Sequence, residues 1–148
     1  MNEKKRHQLS ASVFVMLVRD GKMCMLRRRG TGWMDGSFSI PAGGLDAGET
    51  IQAAAIREAY EEVGVRIAPD HLRYVHTLHS NTNGNTWLGH FFQTTCWDGT
   101  AALREPDKHA DLQWRPIDDL PPETIPYVRQ AILAVAAQKP YSEYGWDE

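Results

Sequence analysis

The chain has 148 residues, with 16 Lys and Arg, 19 Asp and Glu, and a formal net charge of −3, values that fit a globular domain better than a disordered or fibrous chain. This weak acidity argues against a partner that is a nucleic acid polymer, because binding phosphates over a broad surface needs a basic stripe. Two cysteines are too few for a disulfide framework, and the sequence has neither a signal peptide nor an apolar run long enough to span a membrane, so we expect a cytoplasmic protein without a membrane partner.

The first half of the chain predicts a β-hairpin, a short strand and a long helix. Residues 10–29 hold two β-rich runs separated by Asp20-Gly21, a dipeptide that accommodates the positive φ angles of a tight hairpin turn. Residues 37–44 predict a short strand that runs into a Gly-rich loop. Residues 49–64 are rich in strong helix formers and end at Gly64, a common helix stop.

The second half predicts three more strands and a second helix. Residues 72–80 and 86–97 have the composition of strands joined by a turn, and residues 111–117 give one more strand. Apolar spacing predicts a helix over residues 123–138. The tail, residues 139–148, has no periodicity, and we expect it to dock loosely or fray.

This order of elements predicts an α/β fold, a mixed β-sheet with a helix on each face. The sequence has no internal repeat and no convincing linker. We therefore expect a single domain over residues 1–148 with its core at about residues 8–138.

The long helix carries unusual charge on one side. At about 100° per residue, its side chains sort onto an apolar face and an acidic face. The apolar face comprises Ile56, Ala59, Tyr60 and Val63, and the acidic face comprises Glu58, Glu61 and Glu62 with Arg57 at its edge. Glutamates four residues apart repel by a few tenths of a kcal/mol unless a cation lies between them. An ordinary solvated face and a site for a hard divalent cation both remain open on this segment alone.

The residues before this helix extend it into a longer motif. Gly43 is followed after five residues by Glu49 and after seven more by Arg57-Glu58, and the whole segment reads GGLDAGETIQAAAIREAYEEVGV. It resembles the Nudix box, the loop–helix–loop signature of the Nudix hydrolases. It departs from the family at Ala59, where a larger aliphatic residue is usual, and at Ala42, where PGG is the more usual sequence before the box.

The resemblance implies a Nudix α/β/α sandwich that cleaves a nucleoside diphosphate linked to another moiety, with Mg²⁺ or Mn²⁺ as cofactor. The implied metal ligands are the Ala42 carbonyl and the carboxylates of Glu61 and Glu62, with Glu58 either a ligand or the group that orients the attacking water. Arg57 would orient the glutamates. Glu49 would steady the loop or reach a second metal through water.

Catalytic candidates outside the box are indicated by less specific sequence signals. MutT-like members often take a further acidic ligand or base from a later loop, and here Glu105, Asp107 and Asp111 precede a predicted strand. We choose Glu105 as catalytic, because its offset from Trp97 resembles that of the extra glutamate in MutT-like sequences. An ordinary solvated loop carboxylate is the alternative.

Substrate-binding candidates come from the basic run and from the predicted strands. Arg29, or Arg27 in its place, can approach a phosphate from a strand end. His90 and Phe92, with Trp87 and Phe91, can form a surface against a nucleobase, although aromatic residues in strands are more often core.

Residues 36–49 and 105–121 resemble the corresponding segments of small MutT-like enzymes. This resemblance favours a nucleoside triphosphate, including oxidised or modified nucleotides, cleaved to monophosphate and pyrophosphate. The alternatives are a nucleoside-diphosphate sugar or another NDP-X compound, and a nucleotide-sensing domain without turnover. The expected partner is a nucleotide substrate, no nucleic acid polymer is expected, and a homodimer stays open.

Overall fold

A computed structural model describes residues 4–146, and its elements follow the predicted order with two additional strands, one in the predicted Gly-rich loop and one in the tail. Within those residues the chain forms eight strands, two α-helices and one short 3₁₀ helix. They are β1 Ser10–Arg19, β2 Lys22–Arg28, β3 Phe38–Ser39, β4 Ala42–Gly44, α1 Ile51–Val63, the 3₁₀ turn Pro69–His71, β5 Arg73–Thr82, β6 Asn85–Thr94, β7 His109–Pro116, α2 Pro126–Ala136 and β8 Tyr141–Tyr144.

The strands form one mixed sheet in the order β3-β2-β1-β6-β5-β8, with β4 beside β1 and β7 beside β2. Strand β1 runs parallel to β6 and antiparallel to β2 and β4. The hairpin between β1 and β2 turns at Asp20 and Gly21, whose φ angles are 54° and 72°, as their sequence predicts. Because β4 pairs with residues 12–14 and β2 with residues 18–19, both strands share one edge of β1.

Side chains of β1 alternate between two hydrophobic cores, one on each face of the sheet. Val13, Val15 and Leu17 pack with the alanines of α1, whereas Phe14 and Met16 pack on the opposite side with α2. The predicted arrangement of a helix on each face is therefore confirmed, and the two faces are called the α1 face and the α2 face below.

Helix α1 has well-defined ends. The Thr50 hydroxyl accepts a hydrogen bond from the Ala53 N–H at 3.1 Å, and Gly64 closes the helix with φ 78°, a left-handed conformation that favours glycine. The predicted division into an apolar and an acidic face is only partly right. Glu62 is 5% exposed and lies on the buried side beside Val63, because the helix packs against β4 there and not against solvent.

The predictions for the C-terminal part need two corrections. Helix α2 begins at Pro126 rather than at residue 123, since proline is well suited to a first helical position. The tail does not fray over its described length: β8 pairs in parallel with β5, and the Trp146 indole N–H donates to the His79 carbonyl at 3.0 Å. Residues 147 and 148 lie outside the described residues.

No helix within residues 4–146 is both long enough and apolar enough to cross a membrane.

Candidate active site

A cavity of about 240 Å³ lies between β4, the C-terminal half of α1 and the segment that leads into β7. Its lining includes five of the residues that the sequence analysis assigned to metal binding or catalysis. These are Ala42, Glu58, Glu61, Glu62 and Glu105. We call this the glutamate cavity.

Glu62 is the most buried carboxylate of the cavity. Its two oxygens accept from the Ala42 N–H at 3.2 and 3.4 Å, and the His109 Nε2 atom lies 3.6 Å from Oε1. Burial, reinforced by the nearby Glu58 carboxyl, raises the pKa of Glu62 well above its usual range. An ionised Glu62 therefore needs a compensating positive charge.

Arg57 holds the other carboxylates from outside the cavity. Its guanidinium donates to Glu58 at 2.7 Å, to Glu61 at 3.1 Å and to Glu49 at 2.7 Å. It also donates to the Gly44 carbonyl at 3.1 Å. Glu49 first and then Glu58 raise the pKa of Arg57, so the guanidinium stays charged and fixes the orientation of the carboxylates to which it donates.

Glu49 lies in the loop before α1 and outside the residues that line the cavity. It accepts from Arg57 and from the Asp46 N–H at 3.1 Å, and the bond from Arg57 lowers the pKa of Glu49. Of the two roles predicted for it, these contacts match the steadying of the loop. A water-mediated metal contact remains a prediction.

The carboxylates that line the cavity suit a hard divalent cation. Several carboxylate oxygens on one wall are the donor set that Mg²⁺ and Mn²⁺ prefer. A methyl group at Gly43 would collide with the Glu58 carboxyl, so only glycine lets β4 approach the helix this closely. Among the described residues, no three His, Cys, Asp or Glu side chains converge closely enough to form a metal site as placed. The cavity therefore matches such a cation in the chemistry of its donors, and holding one would require the carboxylates to draw closer together.

Sequence analysis missed four further residues of the cavity. They are Arg28, Thr31, Lys108 and His109. Lys108 lies 3.5 Å from Glu105, and burial lowers the pKa of His109. The sequence does contain a signal for Arg28. Side chains two residues apart on a strand share a face, and Cys24 and Leu26 of β2 face the α1 side, so Arg28 is expected on that side as well. Nothing comparable in the loop before β7 indicates Lys108 or His109.

The predicted arginines lie elsewhere. Arg29 is exposed and outside the lining of the cavity, and its backbone N–H donates to Lys108. Arg27 covers the Phe38 ring at 4.9 Å on the opposite face. Arg28, not Arg29, lines the cavity, as the alternation of β2 indicates, and a shift in the pairing of β2 with β7 lies between Arg27 and Arg28.

The predicted surface for a nucleobase is divided between the two faces. Phe92 is 4% exposed and packs in the α1-face core. His90 bonds the Tyr74 hydroxyl at 2.8 Å, and burial lowers its pKa. Trp87 and Phe91 belong to the α2-face core. These side chains cannot form one stacking surface, because successive residues of a strand point to opposite faces.

An aromatic cleft on the α2 face consists of two adjoining lobes. The inner lobe, about 490 Å³, is lined by β1 residues Ser12 and Phe14 and by Trp87. The outer lobe, about 690 Å³, is lined by Tyr144 of β8 and by the start of α2. Both lobes share four residues, Trp33, Thr82, Asn83 and Tyr127.

The loop of residues 29–37 connects the glutamate cavity to the cleft. Thr31 lines the cavity, Trp33 lines both lobes, and Arg28 donates to the Trp33 carbonyl at 2.8 Å. Asp35 closes the loop by accepting from the Thr31 hydroxyl at 2.7 Å and from the Gly32 N–H at 3.0 Å. These bonds, that from the Thr31 side chain foremost, lower the pKa of Asp35.

The chain resembles known proteins in sequence and in fold. Residues 6–135 match a family model described as NUDIX domain. An RNA pyrophosphohydrolase of Erythrobacter litoralis is 30% identical, with 70% of this chain and 73% of the relative covered. NAD-capped RNA hydrolase NudC of Pseudomonas aeruginosa is 32% identical over 78% of this chain, which spans only 39% of that protein. The crystal structure of a MutT NUDIX hydrolase from Burkholderia pseudomallei is 26% identical, with a TM-score of 0.77 and with 86% of this chain and 98% of that chain covered.

Proposed function

Since the chain belongs to the NUDIX family of pyrophosphohydrolases, we propose that it hydrolyses a nucleoside 5′-triphosphate to the monophosphate and pyrophosphate. The observation that carries this proposal is the junction of two sites. A cavity lined by carboxylates and an aromatic cleft are joined by one loop, residues 29–37. A substrate with a polyphosphate at one end and a planar base at the other matches this pair.

We assign Glu58, Glu61, Glu62, Glu105 and the Ala42 carbonyl to one or more divalent cations, Mg²⁺ or Mn²⁺. When bound, such cations neutralise the polyphosphate and help to generate the nucleophile. Arg57 keeps Glu58 and Glu61 in place through the hydrogen bonds described above. Glu49 anchors Arg57 in turn.

The two basic side chains of the cavity are assigned to phosphate oxygens. Arg28 and Lys108 line the glutamate cavity, and their positive charge complements a substrate that carries several negative charges. The inner lobe is assigned to the nucleoside. Its aromatic rings supply faces for stacking, and its serine and asparagine side chains supply neutral hydrogen-bonding groups.

Product analysis tests the reaction. Incubation of the full chain with a panel of nucleoside triphosphates and Mg²⁺ is expected to release pyrophosphate and the monophosphate. The double variant Glu61→Gln with Glu62→Gln serves as the inactive control. Orthophosphate as the only released phosphate would contradict the reaction, and turnover of nucleoside-diphosphate sugars alone would select the alternative substrate class. Nucleotide binding without turnover would select the sensing function.

The position of attack is a separate prediction. Hydrolysis in ¹⁸O-water is expected to label pyrophosphate, because we propose that the water attacks the β-phosphorus. Attack at the α-phosphorus yields the same two products but labels the monophosphate. Mass spectrometry of both products distinguishes the two, since an in-line displacement places the heavy oxygen on the attacked phosphorus.

Replacing Glu105 with glutamine is expected to lower kcat at least about tenfold, because it removes a carboxylate that we assign to the cation and that is lost as a transition-state contact. The melting temperature should change little, since the Glu105 side chain is 27% exposed and its ion pair with Lys108 is long, at 3.5 Å. Asp107→Asn is the matched control, because Asp107 lies in the same loop but outside the cavity lining. An unchanged kcat in Glu105→Gln would return Glu105 to an ordinary loop carboxylate.

A second candidate is the same cleavage at the 5′-triphosphate end of an RNA. The name of the Erythrobacter litoralis relative favours it. The phosphate chemistry is identical for both substrates, so the glutamate cavity does not distinguish them. An RNA substrate would in addition need protein surface that binds the nucleotides after the first one.

A further inference from the structure

A third pocket, of about 450 Å³, lies on the α1 face at the turn between β1 and β2. The hairpin contributes Arg19, Asp20 and Lys22 to its lining, and the walls include Trp97 and Trp114. We call it the hairpin pocket. None of the residues that line it lines the glutamate cavity or the aromatic cleft, and the roles assigned so far leave it without a ligand.

The hairpin pocket is well separated from the glutamate cavity. Strand β2 borders both of them, the hairpin pocket at Lys22 and the glutamate cavity at Arg28. These two positions are about 20 Å apart at 3.3–3.4 Å for each residue of a strand. A ligand in the hairpin pocket therefore leaves the glutamate cavity free, and both can be filled at the same time.

The pocket contains two positive charges that face each other. Arg19 and Lys22 are a directly opposite pair of the antiparallel hairpin, so their side chains share one face, and like charges in such a pair are destabilising. Both side chains are exposed, and neither forms an ion pair within residues 4–146. Asp20 offsets only one of the two charges. An anion bound between them would relieve their repulsion.

Two indole rings beside these charges suit a planar ligand. The rings of Trp97 and Trp114 are nearly parallel, at 11°, with centroids 6.1 Å apart, and the Arg19 guanidinium covers the Trp97 ring at 4.0 Å. Trp97 packs in the α1-face core, and Trp114 is held by the pairing of β7 with Cys24 of β2. Indole faces bind flat aromatic groups by stacking, and these two need little ordering on binding.

Trp97 also has a polar group without a partner. Its indole N–H is buried and makes no hydrogen bond in the described part of the chain, whereas buried donors in folded proteins are nearly always paired. A ligand that brings an oxygen or nitrogen acceptor to this N–H would remove the deficit. The pocket thus combines unpaired positive charge, aromatic walls and an unsatisfied donor.

We propose that the hairpin pocket is a second ligand site, which binds a planar aromatic ring that carries an anionic group. The ring lies against the indoles, and the anionic group lies between Arg19 and Lys22. A ligand held here is not cleaved, because the carboxylates assigned to catalysis border a different cavity. A nucleoside monophosphate and an aromatic carboxylate both have the required chemistry, and binding at this site does not depend on the proposed hydrolysis.

Titration of the full chain with AMP, without divalent cations, tests the proposal by NMR. The chain has five tryptophans, and the indole N–H signals of Trp97 and Trp114 are expected to shift. Adenosine lacks the charge and ribose 5-phosphate lacks the ring, so each should bind at least about fivefold more weakly than AMP. Shifts confined to Trp33 and Trp87, which line the cleft, would place AMP there and overturn the assignment.

Charge variants identify the side chains that hold the anion. Arg19→Gln with Lys22→Gln is expected to weaken AMP binding at least about tenfold, because it removes both cations. Asp20→Asn should tighten it, since it removes the opposing charge and asparagine tolerates the φ of 54° at this position. Arg73→Gln is the matched control, because Arg73 is exposed and lies outside the pocket lining. An unchanged affinity in the double variant, or an equal loss in Arg73→Gln, would refute the site.

A second aromatic anion, indole-3-acetate, distinguishes the two sources of ligand. If it shifts the Trp97 and Trp114 signals as AMP does, the pocket accepts aromatic anions in general. Shifts with AMP alone would assign the pocket to nucleotides. Absence of shifts at Trp97 and Trp114 with both compounds would overturn the proposal.

Discussion

Replacing Glu62 with glutamine is expected to stabilise the metal-free protein and at the same time to lower kcat at least about a hundredfold. Glu62 is 5% exposed, and its ionised form has lost most of its hydration without gaining a full ion pair. Glutamine has nearly the same shape and still accepts from the Ala42 N–H, but it carries no charge. It also removes a carboxylate that we assign to the cation.

The gain in stability of Glu62→Gln over the metal-free wild type depends on pH, and the direction of this dependence follows from the pKa of Glu62. Because the pKa of Glu62 is raised in the folded protein above a usual value of 4.5, folding favours its protonated form. The metal-free wild type therefore loses stability as the pH rises above about 4.5 through the raised value. Glutamine does not titrate, so the difference in melting temperature between variant and wild type should be small at low pH and grow as the pH increases.

Addition of millimolar Mg²⁺ or Mn²⁺ is expected to make the wild type more stable than Glu62→Gln, which reverses their order in the metal-free state. We expect the cation to bind the folded wild type and to raise its melting temperature, whereas Glu61→Gln with Glu62→Gln should abolish the rise. Each kcal/mol corresponds to about 2–4 °C for a chain of this size, which scanning calorimetry resolves. Glu61→Gln alone is the matched control for metal-free stability, because that side chain is 48% exposed. Equal metal-induced shifts in the wild type and the double variant would refute the metal assignment.

A methyl group at Gly43 is expected to lower kcat by about a hundredfold, because a displacement of about 1 Å in a catalytic group is enough for such a loss. The Cβ atom of Gly43→Ala would occupy the space of the Glu58 carboxyl. Glu58 would have to leave its bond to Arg57, and the cavity would lose the arrangement of its carboxylates.

The neighbouring residue offers a sharp control. A Cβ atom at Gly44 meets nothing within 4 Å, and the Gly44 carbonyl that accepts from Arg57 belongs to the backbone. Gly44→Ala should therefore keep kcat within a few-fold of the wild type, with a similar circular dichroism spectrum for both variants. Equal losses in the two variants would mean that the segment tolerates no side chain at all and that contact with Glu58 is not the cause.

Local rules predicted the elements of this fold well. Asp20-Gly21 marked a hairpin and Gly64 marked a helix end, because each needs a backbone conformation that few other residues adopt. The cluster around α1 was also predictable, since residues spaced by three or four positions on one helix necessarily lie together. Glu105 joined that cluster only through the resemblance to a family.

Most of the residues that sequence reasoning misplaced depend on packing between distant segments. Arg28 is the exception, because the alternation of Cys24 and Leu26 on β2 already indicates its direction, although only the folded sheet shows that it lines the cavity. Strand parity separates Phe92 from Phe91, although both looked equally suited to a base. The tail became β8 because β5 offers it an open edge in parallel, a pairing between segments far apart in the chain.

Arg57 has a consequence for how readily the cavity would accept the cations that we assign to it. A glutamate side chain that is free to rotate loses about 0.5–1.5 kcal/mol of conformational freedom when a ligand immobilises it. Here the guanidinium already restrains Glu58 and Glu61, so that entropy is lost during folding rather than during binding. We therefore expect Glu58 and Glu61 to lose little further side-chain freedom when a cation of the kind we propose binds.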